Sequence, residues 1–266
     1  MNIYFLVEGR RTEKKVYPKW ISILLPELSE VKNVFLVRNN NYLVFSGNGF
    51  PSLLDNHLRN AISEVNSIGN FDYFVICLDA DEFSTEEREN EVLTFITKEN
   101  INLTDKTRLI IIVQNRCIET WFLGNLKVFK RNPSSNLLQD FISFYNVSTN
   151  DPEKMGKFEG FEIHADFHET YLTEMLLERN IKYTKNNPRG VTEPSYVSQL
   201  INRTNKTGHI QSFKHFIEFC NEVKTKINIR GARNPNSAQY IFLCFKRFPI
   251  LIQYSVMTFN WSNNLI

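Results

Sequence analysis

The stretch Phe74–Asp81, FVICLDAD, is the part of the chain from which the fold is most directly predicted. Five apolar residues followed by carboxylates are typical of a strand buried on both faces of a parallel sheet. Residues 3–7 (IYFLV) and 109–113 (LIIIV) repeat the pattern, and residues 12–25 and 86–98 have apolar positions at helical spacing. This alternation predicts an α/β fold with a mostly parallel sheet flanked by helices.

Two further strands are predicted at residues 34–37 and 42–45, on either side of an asparagine-rich turn. The pattern changes after residue 128, and the later stretches mostly have helical spacing. We therefore expect an α/β domain over residues 1–128 and a mainly helical C-terminal region over residues 129–266 packed on it. Its tail, residues 230–266, matches no clear pattern, and its Phe-rich part predicts an oligomer contact or an added strand pair.

The composition indicates a folded protein of a reducing compartment. The chain has 266 residues, 13% of them aromatic, so apolar burial can offset the entropy lost on folding. Its four cysteines are widely spaced without a CxxC pair, which favours buried thiols over disulfides. The first residues lack a signal-peptide pattern, and charges interrupt the apolar stretch 240–259. We expect a cytoplasmic protein without a membrane segment, while the net charge of +2 leaves nucleic-acid binding undecided.

Three carboxylates follow two of the predicted strands. Glu8 follows the first strand, and Asp79 and Asp81 follow the strand within FVICLDAD. Ligand sites in parallel α/β sheets form at the carboxyl ends of strands. Oxygen ligands without thiol or imidazole suit Mg²⁺ or Mn²⁺ better than zinc, and without a cation such close carboxylates would repel one another. The sequence therefore predicts a Mg²⁺ or Mn²⁺ site, which Glu8 joins only if its strand neighbours that of Asp79.

The same residues resemble a known family. FLVEG at residues 5–9, followed by Thr12 and Glu13 and then by VICLDAD at residues 75–81, resembles the TOPRIM domain. That domain is shared by topoisomerases, bacterial primases, certain ribosomal-RNA maturases and the overcoming-lysogenization-defect (OLD) nucleases. In the family, a first-strand Glu serves as acid/base or metal ligand and a later DxD binds Mg²⁺. The resemblance assigns these catalytic and metal-binding roles to Glu8, Asp79 and Asp81.

A narrower resemblance concerns the stretch EGRRTE, residues 8–13. It is most similar to small stand-alone TOPRIM-like proteins found near bacterial phage-defence and restriction genes, such as the RloB-like group. CIETWFL at residues 117–123 is similar to an aromatic-rich helix of those proteins, so the likeness covers about the first half of the chain. The resemblance to OLD-type nucleases implies that Glu13 adds a metal contact. We add Glu119 as a further metal ligand, because it follows the third apolar strand.

Several cations are candidates for contacts with substrate phosphate. Arg10 and Arg11 directly follow Glu8, and Arg116 precedes Glu119 and has the planar fork that binds phosphate bidentately. SFKHF, residues 212–216, is similar to a helix of related TOPRIM-like proteins. Within it, Lys214 is a catalytic candidate that would stabilise the transition state of phosphoryl chemistry.

Simpler interpretations of these residues remain open. Glu8 and Glu13 could be carboxylates favoured at a helix N-terminus, and the DxD pair could be turn residues. The arginines and Lys214 could be solvated helix positions. The sequence contains no Gly-x-Ser-x-Gly elbow, P-loop or dinucleotide fingerprint.

The function implied by the resemblance is a Mg²⁺-dependent TOPRIM-type nuclease that cleaves DNA or RNA phosphodiesters in bacterial defence against phage. The alternative is a non-catalytic TOPRIM-like subunit of a defence complex that binds nucleic acid or protein, with a companion ATPase, another defence subunit or a second copy of the chain as partner. A third hypothesis is a phosphotransferase or nucleotidyltransferase that uses the same metal site.

Overall fold

The computed structural model describes residues 1–232 of the chain. Its strands in that range are β1 (Asn2–Val7), β2 (Ser29–Glu30), β3 (Asn41–Ser46), β4 (Tyr73–Asp79) and β5 (Arg108–Gln114). They form a single sheet in the order β2-β3-β1-β4-β5, and every neighbouring pair is parallel. The predicted α/β class is confirmed.

Helices connect the strands and make up most of the described chain after β5. The α-helices are α1 (Glu13–Leu24), α2 (Arg59–Ile68), α3 (Thr85–Lys98), α4 (Ile118–Phe122), α5 (Asn136–Phe144), α6 (His164–Leu177), α7 (Pro194–Thr207) and α8 (Gln211–Ala232). A π-helical segment, Leu53–Leu58, directly precedes α2. The helical character predicted for the C-terminal part is confirmed as far as residue 232.

The two central strands are covered on both faces, as their continuous apolar sequences predict. On one face, Tyr4 of β1 and Phe74 and Ile76 of β4 lie in a core completed by Val65 of α2 and Val92 of α3. These side chains alternate along each strand because successive strand residues point to opposite faces of a sheet. Burial of every other residue on this side therefore leaves the intervening residues for a second core.

The second face is packed by aromatic side chains. Phe5 of β1 and Tyr73 of β4 each make an edge contact with Phe219 of α8, with centroid distances of 6.2 and 5.3 Å. Tyr17 of α1 lies between Phe5 and Phe216 of the same α8. Aromatic pairs of this geometry contribute about 0.5–1.5 kcal/mol each beyond the area they bury. Phe5, Phe216 and Phe219 thus help to attach α1 and α8 to the sheet.

The register of β1 and β4 places their carboxyl ends side by side. Val7 pairs with Cys77, and the backbone N–H of Glu8 donates to the carbonyl of Cys77 at 2.8 Å. On the other side of β4, Asp79 pairs with Gln114 of β5. The condition on which Glu8 depended, a strand next to that of Asp79, is therefore met.

One predicted strand is wrong. Residues 34–37 contain a 3₁₀ helix, Val34–Leu36, capped by the side chain of Asn33, which accepts a hydrogen bond from the backbone N–H of Phe35. Val34 is buried whereas Phe35 and Leu36 are exposed. β-branched residues in a short run resemble a strand, but the asparagine side chain competes for the backbone and starts a turn. The edge strand is instead the two-residue β2, too short for sequence periodicity to reveal.

Chain contacts divide the protein into two units, residues 1–224 and residues 225–266. The first holds the whole sheet and α1 to α7; of the second, only residues 225–232 are described, and they are helical. The domain boundary expected near residue 128 stays a prediction, and the tail beyond residue 232 lies outside the described residues. No helix within residues 1–232 is both long and apolar enough to cross a membrane.

Candidate functional site

A cavity of about 420 Å³ opens at the carboxyl ends of β1 and β4. Four carboxylates line it, together with three cations, two glycines, two neutral polar residues and one isoleucine. The lining residues are Glu8, Gly9, Arg10, Arg11, Thr12, Glu13, Asn48, Gly49, Asp79, Ile118, Glu119 and Lys185. Six of them, namely Glu8, Arg10, Arg11, Glu13, Asp79 and Glu119, are site residues predicted from the sequence.

Glu8 and Asp79 are joined directly. The carboxylate Oε2 of Glu8 accepts a hydrogen bond from the backbone N–H of Asp79 at 3.0 Å. The exit of β1 is also attached to the loop after β3, since the N–H of Gly49 donates to the carbonyl of Glu8 at 2.9 Å. These two bonds hold Glu8 in the lining of the cavity, between the ends of β3 and β4.

Glu13 lines the cavity with its carboxylate close against the backbone of Gly9. A Cβ atom at Gly9 would collide with the carboxylate of Glu13, so another residue there would displace this carboxylate from its present position. Glu13 is the first residue of α1, where the helix N-terminus favours negative charge. The helix-end role and the site role of Glu13, posed as alternatives from the sequence, are therefore compatible.

Glu119 completes the acidic group from α4. Its side chain is 2% exposed, and its Oε1 accepts a hydrogen bond from the hydroxyl of Tyr183 at 2.8 Å. The aromatic residues beside it in sequence, Trp121 and Phe122, are fully buried. A carboxylate in such an apolar segment needs a partner, and the structure provides one from a part of the chain far away in sequence.

The cavity favours the protonated form of every one of its carboxylates. Burial raises the pKa of Glu13 to about 7, and the negative charge of Glu119 adds to the effect. Burial also raises the pKa of Glu8 and of Glu119, and it raises the pKa of Asp79 well above its ordinary range, with further repulsion from the neighbouring carboxylates. Ionising all four groups together is disfavoured in this cavity, because the cost of burial adds to the mutual repulsion of the carboxylates.

Asp81, the second carboxylate of the DxD, is turned towards a buried arginine. Arg88 of α3 is 3% exposed, and its Nη2 lies 3.1 Å from Oδ2 of Asp81. Its guanidinium also lies over the rings of Phe50 and Phe83, at 4.0 and 4.9 Å from the centroids. Among the described residues, the lining of the cavity does not include Asp81.

Arg116 and Lys214 are also placed away from that lining. Arg116 donates from Nη1 to the backbone carbonyl of Asp81 at 3.1 Å and so braces the exit of β4. Lys214 lies on α8 and forms an ion pair with Glu218 at 3.6 Å. Neither is among the described residues that line the cavity.

The SFKHF segment has a clear packing role. Ser212, near the start of α8, accepts a hydrogen bond from the indole N–H of Trp121 at 2.6 Å and donates to Glu153 at 2.5 Å. Phe213 and Phe216 of the same segment pack against Trp121. Through these contacts with Trp121, the segment holds α4, and with it Glu119, in position.

Lys185 is the main site residue that sequence reasoning missed. It lies in a tight turn closed by a bridge between Thr184 and Asn187, and its ammonium pairs with Glu169 at 2.9 Å. Burial by itself would lower the pKa of Lys185, but Glu119 and Glu169 raise it above its ordinary value. Its only sequence signal is a basic, turn-forming stretch, KNNPRG, at residues 185–190, which by itself does not point to β1.

The donor set fits Mg²⁺ or Mn²⁺ in chemistry. The Oδ1 atom of Asp79 is buried and has no hydrogen-bond partner among the described residues, which leaves an oxygen donor available inside an acidic cavity. Hard carboxylate oxygens are the ligands that these ions prefer. In the arrangement described, no group of three or more His, Cys, Asp or Glu side chains within residues 1–232 is assembled as a metal site.

Comparisons with models of protein families, with curated proteins and with solved structures find no match for this chain. The fold and the site therefore define the class of protein by themselves: an α/β protein with a parallel five-stranded sheet in the described part and an acidic cavity at the carboxyl edge of that sheet.

Proposed function

We propose that this protein is a Mg²⁺-dependent nuclease that hydrolyses phosphodiester bonds in DNA or RNA, with Mn²⁺ as a substitute ion. The observation that carries the proposal is the convergence of four carboxylates, two buried and two half-buried, from three separate parts of the chain on one cavity edged by cations. Structural ion-pair networks rarely gather like charges in this way, because each added carboxylate raises the cost of ionising the others.

The residues divide into two groups by charge. Glu8, Asp79, Glu13 and Glu119 would hold the divalent ion, which when bound activates water and offsets charge on the leaving oxygen. Lys185 would bind the phosphate inside the cavity, and the exposed arginines at its rim, Arg10 and Arg11, would attract the substrate backbone. Burial strengthens each of these charge interactions relative to the same pair in water.

The role in anti-phage defence is part of the proposal and is supported only by the resemblance of residues 8–13 and 75–81 to TOPRIM-like defence proteins. The same resemblance supports a TOPRIM-type mechanism. The order and parallel direction of β1 and β4 agree with the placement of a first-strand Glu beside a later Asp.

A cleavage assay tests the proposal. The full chain is incubated with plasmid DNA, single-stranded DNA and transfer RNA in Mg²⁺, in Mn²⁺ and in EDTA. Cleavage is expected with either ion and not in EDTA, and it is expected to disappear in Asp79→Ala. Asp105→Ala, which changes an exposed aspartate outside the cavity, is the matched control and should cleave like the wild type. Cleavage by Asp79→Ala at the wild-type rate would refute the assignment.

The non-catalytic binding subunit is the second candidate, and the pairing of Asp81 with Arg88 favours it, because a DxD residue committed to an ion pair is less free to bind metal. Absence of cleavage under all conditions, together with retained binding of nucleic acid, would select this candidate.

A further inference from the structure

A second and larger recess lies beside the acidic cavity, a groove of about 810 Å³. It runs along the exposed side of α1 and is bounded by β3, by the 3₁₀ turn after β2 and by residues 186–192. Nothing in the nuclease proposal uses it. We call it the basic groove, after the residues described next.

The groove has an excess of positive charge on a chain that is almost neutral overall. Its lining holds five cations and two carboxylates: Lys14, Lys15, Lys19, Lys32, Arg189, Glu30 and Glu64. Lys32 pairs with Glu30, and the ammonium of Lys15 donates to the carbonyl of Asn186. The other three cations are exposed and have no carboxylate within ion-pair distance among residues 1–232. Such unpaired charge on one surface attracts a polyanion.

Two aromatic rings are exposed on the same lining. Phe35 is 71% exposed and Phe45 is 40% exposed, whereas both neighbours of Phe45 in β3 are buried. The ammonium of Lys14 lies 5.9 Å from the ring centroid of Phe45. Exposed aromatic rings alternating with cations are the combination by which proteins bind unpaired bases and the adjoining phosphates.

The basic groove and the acidic cavity share three chain segments. In α1, Glu13 lines the cavity, and Lys14 and Lys15 line the groove. In the turn at residues 184–187, Lys185 lines the cavity, while the residues directly after it line the groove. At the exit of β3, the lining passes from Phe45 in the groove to Asn48 in the cavity. A nucleic-acid strand lying in the groove would therefore come close to the carboxylates of the cavity, because only a few residues of each segment separate the two linings.

We propose that the basic groove binds single-stranded nucleic acid and leads it to the acidic cavity, which makes unpaired strands the substrate class of the nuclease. This inference rests on the proposed function. Only unpaired bases present free faces to Phe35 and Phe45, whereas the bases of a duplex are stacked within the helix. DNA and RNA strands share this chemistry, and the binding experiment separates them.

Binding is measured in EDTA by fluorescence anisotropy, with the full chain and labelled oligodeoxyuridylate, oligouridylate and duplex DNA of about 12 nucleotides, a length within the roughly 4 to 16 nucleotides that one OB-fold domain covers. At least one single strand is expected to bind about tenfold more tightly than the duplex. The tighter of the two single strands identifies the sugar that the groove prefers. Equal affinity for single strands and duplex, or no binding at all, would overturn the proposal.

A matched pair of substitutions isolates the stacking contribution. Phe35→Leu keeps an apolar side chain but removes the ring, and it should weaken single-strand binding by about 5- to 100-fold. Phe35→Trp keeps an aromatic face and should bind at least as well as the wild type. Because Phe35 is exposed, neither change should alter the melting temperature. Equal affinities of the two variants would contradict the role given to this ring.

Removing two groove cations tests the phosphate contacts. The double variant of Lys19→Ala with Arg189→Ala should reduce the slope of log affinity against log salt by about 1.4, because each phosphate contact on a single strand contributes about 0.7. The control is Lys98→Ala with Lys106→Ala, two exposed lysines outside the groove lining, which should leave the slope unchanged. Equal slopes for both double variants would contradict a path along the groove.

The two proposals fail separately. Binding that follows these expectations without any cleavage in Mg²⁺ would refute the nuclease and leave the groove as a binding surface. Cleavage by the wild type, with groove variants that bind and cleave single strands as the wild type does, would refute the groove alone.

Discussion

The carboxylate of Glu8 accepts a hydrogen bond from the backbone N–H of Asp79, at 3.0 Å. This contact joins the ends of two strands that are 71 residues apart in sequence. The Oδ1 atom of the Asp79 side chain is buried and has no hydrogen-bond partner among the described residues. The first prediction follows from that oxygen.

Asp79→Asn should have opposite effects on two properties of the acidic cavity. It should relieve the electrostatic repulsion that destabilises the metal-free fold, and it should weaken the binding of Mg²⁺. In EDTA, the variant should melt at a higher temperature than the wild type, because it removes one of four mutually repelling carboxylates. Mg²⁺ should raise the melting temperature of the wild type. The corresponding gain in the free energy of unfolding is about 2.7 kcal/mol when the ion is at a hundred times its dissociation constant. The variant should lose this gain. Asp105→Asn serves as the control, and equal Mg²⁺ effects in all three proteins would exclude Asp79 as a ligand.

The pKa of Glu13 predicts how stability depends on pH in the metal-free protein. Burial raises it from 4.5 to about 7, so the folded protein holds this proton more tightly than the unfolded chain does. The resulting stabilisation is fully present below about pH 4.5 and is lost as pH rises to about 7. Its size is at most about 3 kcal/mol.

The measurement is urea unfolding in EDTA at several pH values between 4.5 and 8. Glu13→Gln should flatten the decline in the free energy of unfolding over that range. Glu99→Gln, at an exposed ion pair with Arg59, should keep the wild-type dependence. If the free energy of unfolding of Glu13→Gln depended on pH as that of the wild type does, the raised pKa of Glu13 would be contradicted.

Arg88 should be among the most important charged residues for stability. Arg88→Ala should lower the free energy of unfolding by about 3 kcal/mol, because it removes the cation that neutralises Asp81 and its packing on Phe50 and Phe83. Arg59→Ala breaks a solvent-exposed pair and should cost less than about 1 kcal/mol. Chemical denaturation of both variants measures the difference, and similar losses would show that burial of Arg88 adds nothing.

Lys185 and Lys214 are competing candidates for the catalytic cation. Lys185 lines the cavity, while Lys214 pairs with Glu218 on α8. Lys185→Met should reduce the single-turnover rate of cleavage by about 10²-fold or more, the usual effect of removing one group that stabilises transition-state charge. Lys185→Arg should retain part of the rate. Lys214→Met should cleave like the wild type, and the reverse ranking would restore Lys214 as the functional lysine.

The strands around the site were predictable because each is a continuous apolar run that ends at a carboxylate or at Gln114. Their order in the sheet was not, since hydrophobic periodicity does not encode which strands are neighbours. Glu8 could therefore be assigned only conditionally from the sequence. The register of Val7 with Cys77 supplies the missing information.

The residues that escaped prediction are those placed by long-range packing. Lys185 enters the cavity through a turn whose sequence carries no metal or phosphate motif. Asp81 was grouped with Asp79 because of their spacing, but its backbone has a φ of 53° and its side chain points to Arg88. Closeness in sequence at the end of a strand therefore does not ensure that the side chains of Asp79 and Asp81 line the same cavity.

The contact between Trp121 and Ser212 gives the protein an internal optical reporter. Trp121 is two residues from Glu119, stacks on Trp20 with a centroid distance of 6.4 Å, and donates its indole N–H to Ser212. These are two of only three tryptophans in the chain. A ligand that shifts α4 changes the polarity around this indole pair, so entry into the cavity can be followed by the protein's own emission without any label.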